Sequence, residues 1–375
     1  MRTATLIFLA LFPSLAMAAR LPTPKGQIIA YVFAKDSVIQ PGEIAANKLT
    51  RINYAFANLK DGRIIEGFAH DAENFAALNA LKRINPQLAI LVSVGGWTWS
   101  GQFSGMSSTK ESRKLFIDSA VQFVTRYQLD GLDIDWEYPG LPGNHNPFRP
   151  EDKENYTLLL KELRQRFDRE GKKLHKHLFT SIATGASLKF LDHTEMSKVQ
   201  KYVDTVNLMA YDYYEPSSGK TTGHHAPLYT NPADPKLVSA DASVRNYEKA
   251  GVPAAKIVLG VPFYGHLWGG VLAQNNGLYQ PGMQVPGAYA NYSIITAHML
   301  NNGFMRYWDA TASAPYLYNS TTQTFVSYED PESLALKARY VLDHQLAGMM
   351  FWDYEGDPQG SLLDSVHKGL YPVTR

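Results

Sequence analysis

Short, almost uninterrupted apolar runs punctuate the chain at Gln27–Ala34, Arg51–Phe56, Leu88–Val94, Gly131–Trp136, Leu178–Ala183, Thr205–Tyr211, Lys256–Tyr264 and Gly348–Trp352. They are rich in β-branched and aromatic residues with little polar alternation, the pattern of parallel strands covered on both faces. Between them run amphipathic stretches such as Ser112–Tyr127 and Asn155–Arg169, with apolar residues three and four apart. Eight strands with intervening helices predict an α/β protein, a closed (β/α)8 (TIM) barrel. An open doubly wound sheet is the competing arrangement; the strand count and the polar residues at strand ends favour the barrel. The connection between the seventh and eighth strands is too long for one helix. Residues 266–331 are rich in Gly, Asn, Tyr and Pro, with strand-like pieces at Arg306–Trp308, Tyr316–Tyr318 and Thr324–Ser327. They predict a small α+β insertion domain, an irregular lid of that length being uncommon. The barrel then comprises residues 20–265 and 332–375.

The sharpest local pattern lies in the fourth run, Asp130-Gly-Leu-Asp133-Ile-Asp135-Trp-Glu137-Tyr-Pro139. In a strand, side chains two apart share a face, so Asp133, Asp135 and Glu137 point one way and Ile134 and Trp136 the other. Successive carboxyls on that ladder stand about 6.6 Å apart. Three inward carboxylates are costly to ionise together, and protons shared along the row would keep an acid protonated near neutral pH. Pro139 ends the strand, which puts Glu137 at the C-terminal rim, where barrels of this kind carry their active sites. A divalent cation site and a solvated acidic turn are the alternatives. The interleaved Leu132, Ile134 and Trp136 speak against the turn.

At the N-terminus, Arg2, the apolar run Leu6–Leu11 and Ala16-Met17-Ala18 form the pattern of an export signal spanning residues 1–19, cleaved near Ala18/Ala19. The run is too short to span a bilayer and is followed by Pro13, so no membrane association is expected after cleavage. Export predicts an extracellular or periplasmic protein. The 36 basic residues stand against 35 acidic ones, and removing residues 1–19 takes away only Arg2. A balanced mature chain argues against nucleic acid as a partner. With no cysteine, thiol chemistry and thiolate metal sites are excluded. Apolar residues at 45% supply a core large enough for a monomer to fold without disulfides. Six Trp and 22 Tyr offer flat faces of the kind that pack on sugar rings.

The ladder matches the DxxDxDxE signature of the family 18 glycoside hydrolases, the chitinase family. Leu91-Val-Ser93-Val-Gly95-Gly96-Trp97 is similar to that family's SxGG strand, Met209-Ala-Tyr211-Asp212-Tyr213 to its MxYD strand, Lys256–Gly265 to the strand that follows, and Gly348–Trp352 to the last one. The motifs run in the family's order across nearly the whole mature chain. The segment after Gly265, including Ala314-Pro315-Tyr316 and Phe325–Asp330, resembles the family's insertion domain. The resemblance implies hydrolysis of chitin or chito-oligosaccharides with retention, through an oxazolinium ion formed by the substrate's 2-acetamido group. It implies Glu137 as general acid and then base, and Asp135 as the group that orients the acetamido N–H. Asp133 would tune both, Tyr211 would bond the acetamido oxygen, and Asp212 would bind the same sugar. Trp352 would be the apolar floor. Tyr31, Phe56, Met209 and Tyr264 would complete the pocket, with Trp97 on the leaving-group side. No cofactor and no metal are expected.

Some residues carry a second reading. Trp352 and Tyr211 could be core, Trp99, Trp268 and Trp308 could be groove or core, and Ser93, Gly95 and Gly96 read as packing and turn residues. His224 and His225 have no evident partner. Two positions depart from the family pattern: Tyr213–Ser217 where many relatives have an aromatic on the product side, and His266 where many have Arg. Competing functions on the same scaffold are a chitin-binding lectin, which typically lacks the acid, and an endo-β-N-acetylglucosaminidase on glycans, which generally lacks the insertion. A metal-dependent hydrolase would need a ligand cluster such as HExxH, absent from this sequence.

Overall fold

A computed structural model describes residues 26–372; the expected export signal lies outside that range. Eight parallel strands are β1 (Gln27–Val32), β2 (Arg51–Lys60), β3 (Ala89–Gly95), β4 (Gly131–Asp135), β5 (Phe179–Gly185), β6 (Thr205–Met209), β7 (Ile257–Pro262) and a last strand, Gly348–Trp352. They pair in chain order, and β1 bonds both β2 and the last strand, which closes the barrel. The expected helices span Lys110–Arg126 and Asp152–Leu174. Thr109 starts the first of these with a capping box shared with Ser112. Leu132, Ile134 and Trp136 face outward and are buried by these helices; Trp136 stacks on Phe103 at 5.3 Å and meets Tyr156 edge-on at 5.8 Å. That outward packing fixes the inward direction of Asp133 and Asp135.

The seventh strand ends at Pro262, two residues short of the run seen in the sequence. The Phe263 N–H donates to the Trp352 carbonyl, and the chain then enters a second, five-stranded antiparallel sheet. Its strands are β8 (Tyr264–Gly269), β9 (Met283–Asn291), β10 (Met305–Asp309), β11 (Ala314–Asn319) and β12 (Thr324–Ser327), in spatial order β9-β8-β12-β11-β10. Gly348–Trp352 thus becomes β13. Trp268 is fully buried among Tyr316, Tyr318 and Phe325 in this sheet's core, so it is not a groove residue. Trp308 lies on β10 beneath the Arg306 guanidinium, 5.3 Å from its carbon. Among the described residues no helix is long and apolar enough to cross a membrane.

Register aims the ladder. Asp133 lies level with Ser93 on β3 and Ser181 on β5, and Asp135 lies level with Gly95. Gly95 adopts φ +109°, and a Cβ there would stand 2.2 Å from the Asp135 carbonyl oxygen and 2.8 Å from the Phe103 ring. Gly95→Ala combines a left-handed backbone with a clash against a barrel strand. We expect it to cost about 2–4 kcal/mol, read as a lower urea midpoint at unchanged m-value.

Candidate active site

The innermost rung of the ladder, Asp133, has no exposure to solvent. Four donors close on it. The Tyr31 and Ser93 hydroxyls donate to Oδ2 at 2.9 and 2.8 Å, while the Ser181 hydroxyl and the Asn207 amide, at 3.2 Å, donate to Oδ1. Beneath them the buried Arg51 guanidinium donates to Thr205 and to the Asn207 carbonyl oxygen at 2.9 and 3.1 Å. Asn207 also donates to Tyr31 at 3.0 Å. The residues come from β1, β2, β3, β5 and β6, so Asp133 is met by a polar network from around the barrel, in which only Arg51 Nε lacks a partner among the described residues. Ser93 therefore does more than make room: its hydroxyl holds the ladder.

The next two rungs differ. Asp135 is 4% exposed, and its Oδ1 has no hydrogen-bond partner among the described residues. Burial, reinforced by Glu137 and Asp133, pushes its carboxyl well above the usual range. Glu137 is buried at the rim. Desolvation, with smaller repulsions from Asp212 and Glu215, raises it from 4.5 to about 7, the Tyr138 hydroxyl acting in the opposite direction. The backbone of Glu137 is fixed: its N–H donates to the Ser100 hydroxyl at 2.9 Å, and the Asn146 amide donates to its carbonyl at 3.0 Å. Asp152, at the start of the long helix, accepts from the Gly140 and Arg149 N–H groups and anchors the loop that follows. Expected proton sharing along three equal carboxyls becomes a division, with the bottom rung saturated by donors and the upper two left to hold protons.

On the other side of the mouth, Asp212 takes φ +58° and turns its partly exposed carboxylate toward β8. Its Oδ1 accepts from the Tyr264 hydroxyl at 2.6 Å and from His266 Nε2–H at 2.8 Å, with His225 Nδ1 at 3.5 Å. Burial opposes its charge, but the two imidazoles outweigh that and hold it below the ordinary carboxylate range. Burial pushes His225 down to about 4. The Tyr211 phenol is raised by burial and then by the Asp212 charge, so it stays a donor.

Asp135, Glu137, Tyr211, Asp212 and Tyr264 all open on one cleft of ≈ 1100 Å³, at the upper end of the usual range for small-molecule pockets. Tyr31, Phe56, Met209, Trp97 and Trp352 line the same cleft. Asp133 sits below it. Phe56 stacks on Trp352 at 5.4 Å, and Tyr31 meets it at 6.0 Å, giving an aromatic floor open on one face. Trp97 stands at the rim, 51% exposed.

A model of the glycosyl hydrolases family 18 matches residues 27–357. The chain belongs to family 18 of the glycosyl hydrolases. Among relatives, Chitinase A1 of Niallia circulans is 37% identical over 88% of this chain and 56% of its own length; the chain thus spans little more than half of that protein. Chitotriosidase-1 of Mus musculus is 32% identical over 89% of the chain and 72% of its own. A solved structure described as a family 18 N-acetylglucosaminidase, from Paenibacillus barengoltzii, is 42% identical with a TM-score of 0.84, covering 92% of this chain and 99% of that one. A class V chitinase from Nicotiana tobaccum in complex with NAG4 is 26% identical, TM-score 0.83, over the same shares.

Several cleft residues of this family 18 site escaped the sequence reading. Phe33 packs on both Trp352 and Phe56, at 5.4 and 5.7 Å; it lies two residues past Tyr31 within the Gln27–Ala34 run, so strand alternation puts it on the same face and could have found it. Tyr289 on β9 stacks on Tyr264 at 4.5 Å and carries the antiparallel sheet into the cleft wall. Trp99 lines the cleft and packs on Phe68 at 5.0 Å, which settles it as groove. His224, left without a partner in the sequence, faces Asp309 at 3.1 Å.

The raised Glu137 carries a stability consequence. The folded protein binds this proton more tightly than an unfolded chain does, so stability is full below about pH 4.5 and declines as pH rises to about 7. Above that, the buried charge costs on the order of 3 kcal/mol. Glu137→Gln removes the charge, and we expect it to raise the urea-unfolding free energy at pH 8 while leaving it nearly unchanged at pH 4.5.

Proposed function

We propose that the protein is a secreted chitinase, hydrolysing β-1,4 linkages between N-acetylglucosamine units of chitin and chito-oligosaccharides with retention of configuration. One observation carries the reading: a buried carboxyl raised to about 7 stands at the cleft's rim, beside a buried Asp135 oxygen that lacks a partner. An unpaired polar atom in a dry site is a place for a ligand donor, and the acetamido N–H of a sugar is such a donor. With that N–H on Asp135 and the Tyr211 hydroxyl on the acetamido oxygen, the oxygen is aimed at C1. As it attacks, the C1–O bond to the leaving sugar breaks and Glu137 gives its proton to the departing oxygen. The oxazolinium ion carries positive charge, which Asp135 and Asp212 stabilise in a site of low dielectric. Water then attacks C1 as the bond from C1 to the acetamido oxygen breaks and restores the amide, and the water gives a proton to Glu137. A sugar hydroxyl in place of water gives transglycosylation.

Asp133 lies behind Asp135 and exchanges a proton with it, so that Asp135 can become a carboxylate as the positive charge develops. Trp352 lies under the reacting ring, and Tyr31, Phe56 and Met209 close the pocket around the acetamido methyl. Trp97 receives the leaving sugar. The segment 266–331 acts as an insertion domain whose sheet deepens the groove through Tyr289. A relative described as a chitinase, and the solved NAG4 complex of a class V chitinase, support the substrate class. The similarity to an N-acetylglucosaminidase supports a second reading, release of single N-acetylglucosamine units from chain ends.

Glu137→Gln is expected to lower kcat by about 10³-fold or more while oligosaccharide affinity, measured calorimetrically, stays within a few-fold; turnover near that of the unaltered enzyme would remove the mechanism. A product time course on chitin hexamer, followed by proton NMR, should first release the β-anomer, and hexamers without acetamido groups should remain uncut. Initial α-anomer, or equal cleavage of the deacetylated substrate, would exclude the acetamido route. Dimers and trimers as first products favour internal cleavage, and monomer from the outset favours the second reading.

A further inference from the structure

His225 is an anomaly in the packing. It is fully buried, and neither ring nitrogen has a hydrogen-bond partner among the described residues. Its Nδ1 stands 3.5 Å from Asp212 Oδ1, too far for a well-formed hydrogen bond. An imidazole with two idle nitrogens in a dry site calls for a missing partner. His266 Nε2 approaches the same oxygen from β8 at 2.8 Å, and one ligand atom from each of the three residues lies within 4.8 Å of the others.

The geometry points to a binding site for one borderline divalent transition ion, of which Zn2+ is the prototype, formed by Asp212, His225 and His266 and opening on the sugar cleft. Ligand atoms about 2.0–2.1 Å from a zinc ion are separated by roughly 2.8–3.0 Å in octahedral and roughly 3.3–3.4 Å in tetrahedral arrangements. The two separations from Asp212, 2.8 and 3.5 Å, lie close to the ends of that span. Two imidazoles and a carboxylate suit zinc, cobalt, nickel or copper and are a poor match for calcium or magnesium, which prefer all-oxygen shells. Glu215, also in the cleft wall, adds negative potential beside Asp212. The Tyr264 hydroxyl on Asp212 braces the carboxylate, as outer partners of metal ligands commonly do. Asp212 and His266 line the cleft, from which water would supply any further ligand.

This site is regulatory rather than catalytic. No proton of the proposed reaction passes through the ion, and Asp212, which stabilises the oxazolinium charge, cannot serve a sugar and a metal ion together. A bound ion therefore inhibits, and by linkage a bound sugar weakens the ion. The positions that form it, 212, 225 and 266, include the His that stands where the family pattern often has Arg; a guanidinium there would exclude a cation.

The test uses untagged, chelator-treated protein and Co2+ or Zn2+ alone. Titration with Co2+ at pH 7.5 should give one equivalent of a visible absorption band, displaced by Zn2+ and indifferent to excess Mg2+ or Ca2+. His225→Gln and His266→Gln, checked for native circular dichroism, should each weaken the ion by at least ~tenfold. Because a variant could fail to fold, the unaltered protein is also crystallised with Zn2+ and the ion located by anomalous scattering. A peak among the three side chains supports the site. No one-to-one binding, binding unchanged in both folded variants, or a peak elsewhere overturns it. All of these readouts are independent of sugar hydrolysis, so they stand or fall apart from the proposed function.

Discussion

A carboxylate sealed from water at the centre of a barrel is tolerable only when every lone pair is met, and Asp133 is held in that way by Tyr31, Ser93, Ser181 and Asn207. Each donor comes from a different strand, so the interaction ties β1, β3, β5 and β6 to β4 through a single group. Arg51 adds positive charge beneath and is itself paired through Asn207 and Thr205. Removing one donor would leave a buried charge short of partners, which costs more than the lost bond alone. The upper rungs inherit their position from this floor.

Above the floor, environment rather than residue type separates the carboxyls. Asp133 has donors to spare, Asp135 has an empty oxygen and two acidic neighbours, and Glu137 has a desolvated carboxyl with only Tyr138 acting to ease it. Across the mouth, Asp212 is kept charged by imidazoles. Two acids that hold protons thus face one that does not, the kind of divergence that separates acid from electrostatic stabiliser in a catalytic site.

The barrel and the ladder were legible because both rest on local periodicity. Strand alternation alone puts Asp133, Asp135 and Glu137 on one face, and the outward packing of Trp136 agrees with it. The residues that complete the floor were not legible in the same way. Ser181, Asn207 and Arg51 meet Asp133 or one another through strand register around a closed sheet, which no short window of sequence encodes. Phe33 was within reach of the same alternation, two residues past Tyr31, whereas Tyr289 was hidden because the length of the β8–β9 connection does not reveal which residue will stack on Tyr264. His225 is thirteen positions from Asp212 along an irregular loop, and only the folded backbone brings them together. The second strand-like tail of Lys256–Tyr264 misled for a different reason: apolar character continues through Phe263 while the chain changes sheets.

Tyr289 reaches the cleft by leaning on Tyr264, whereas Glu137 is wired into the barrel backbone through Ser100 and Asn146. The two halves of the mouth consequently rest on separate supports. Side chains along β9 can be changed to widen or narrow the cleft while the backbone anchors of Glu137 in the opposite jaw stay in place.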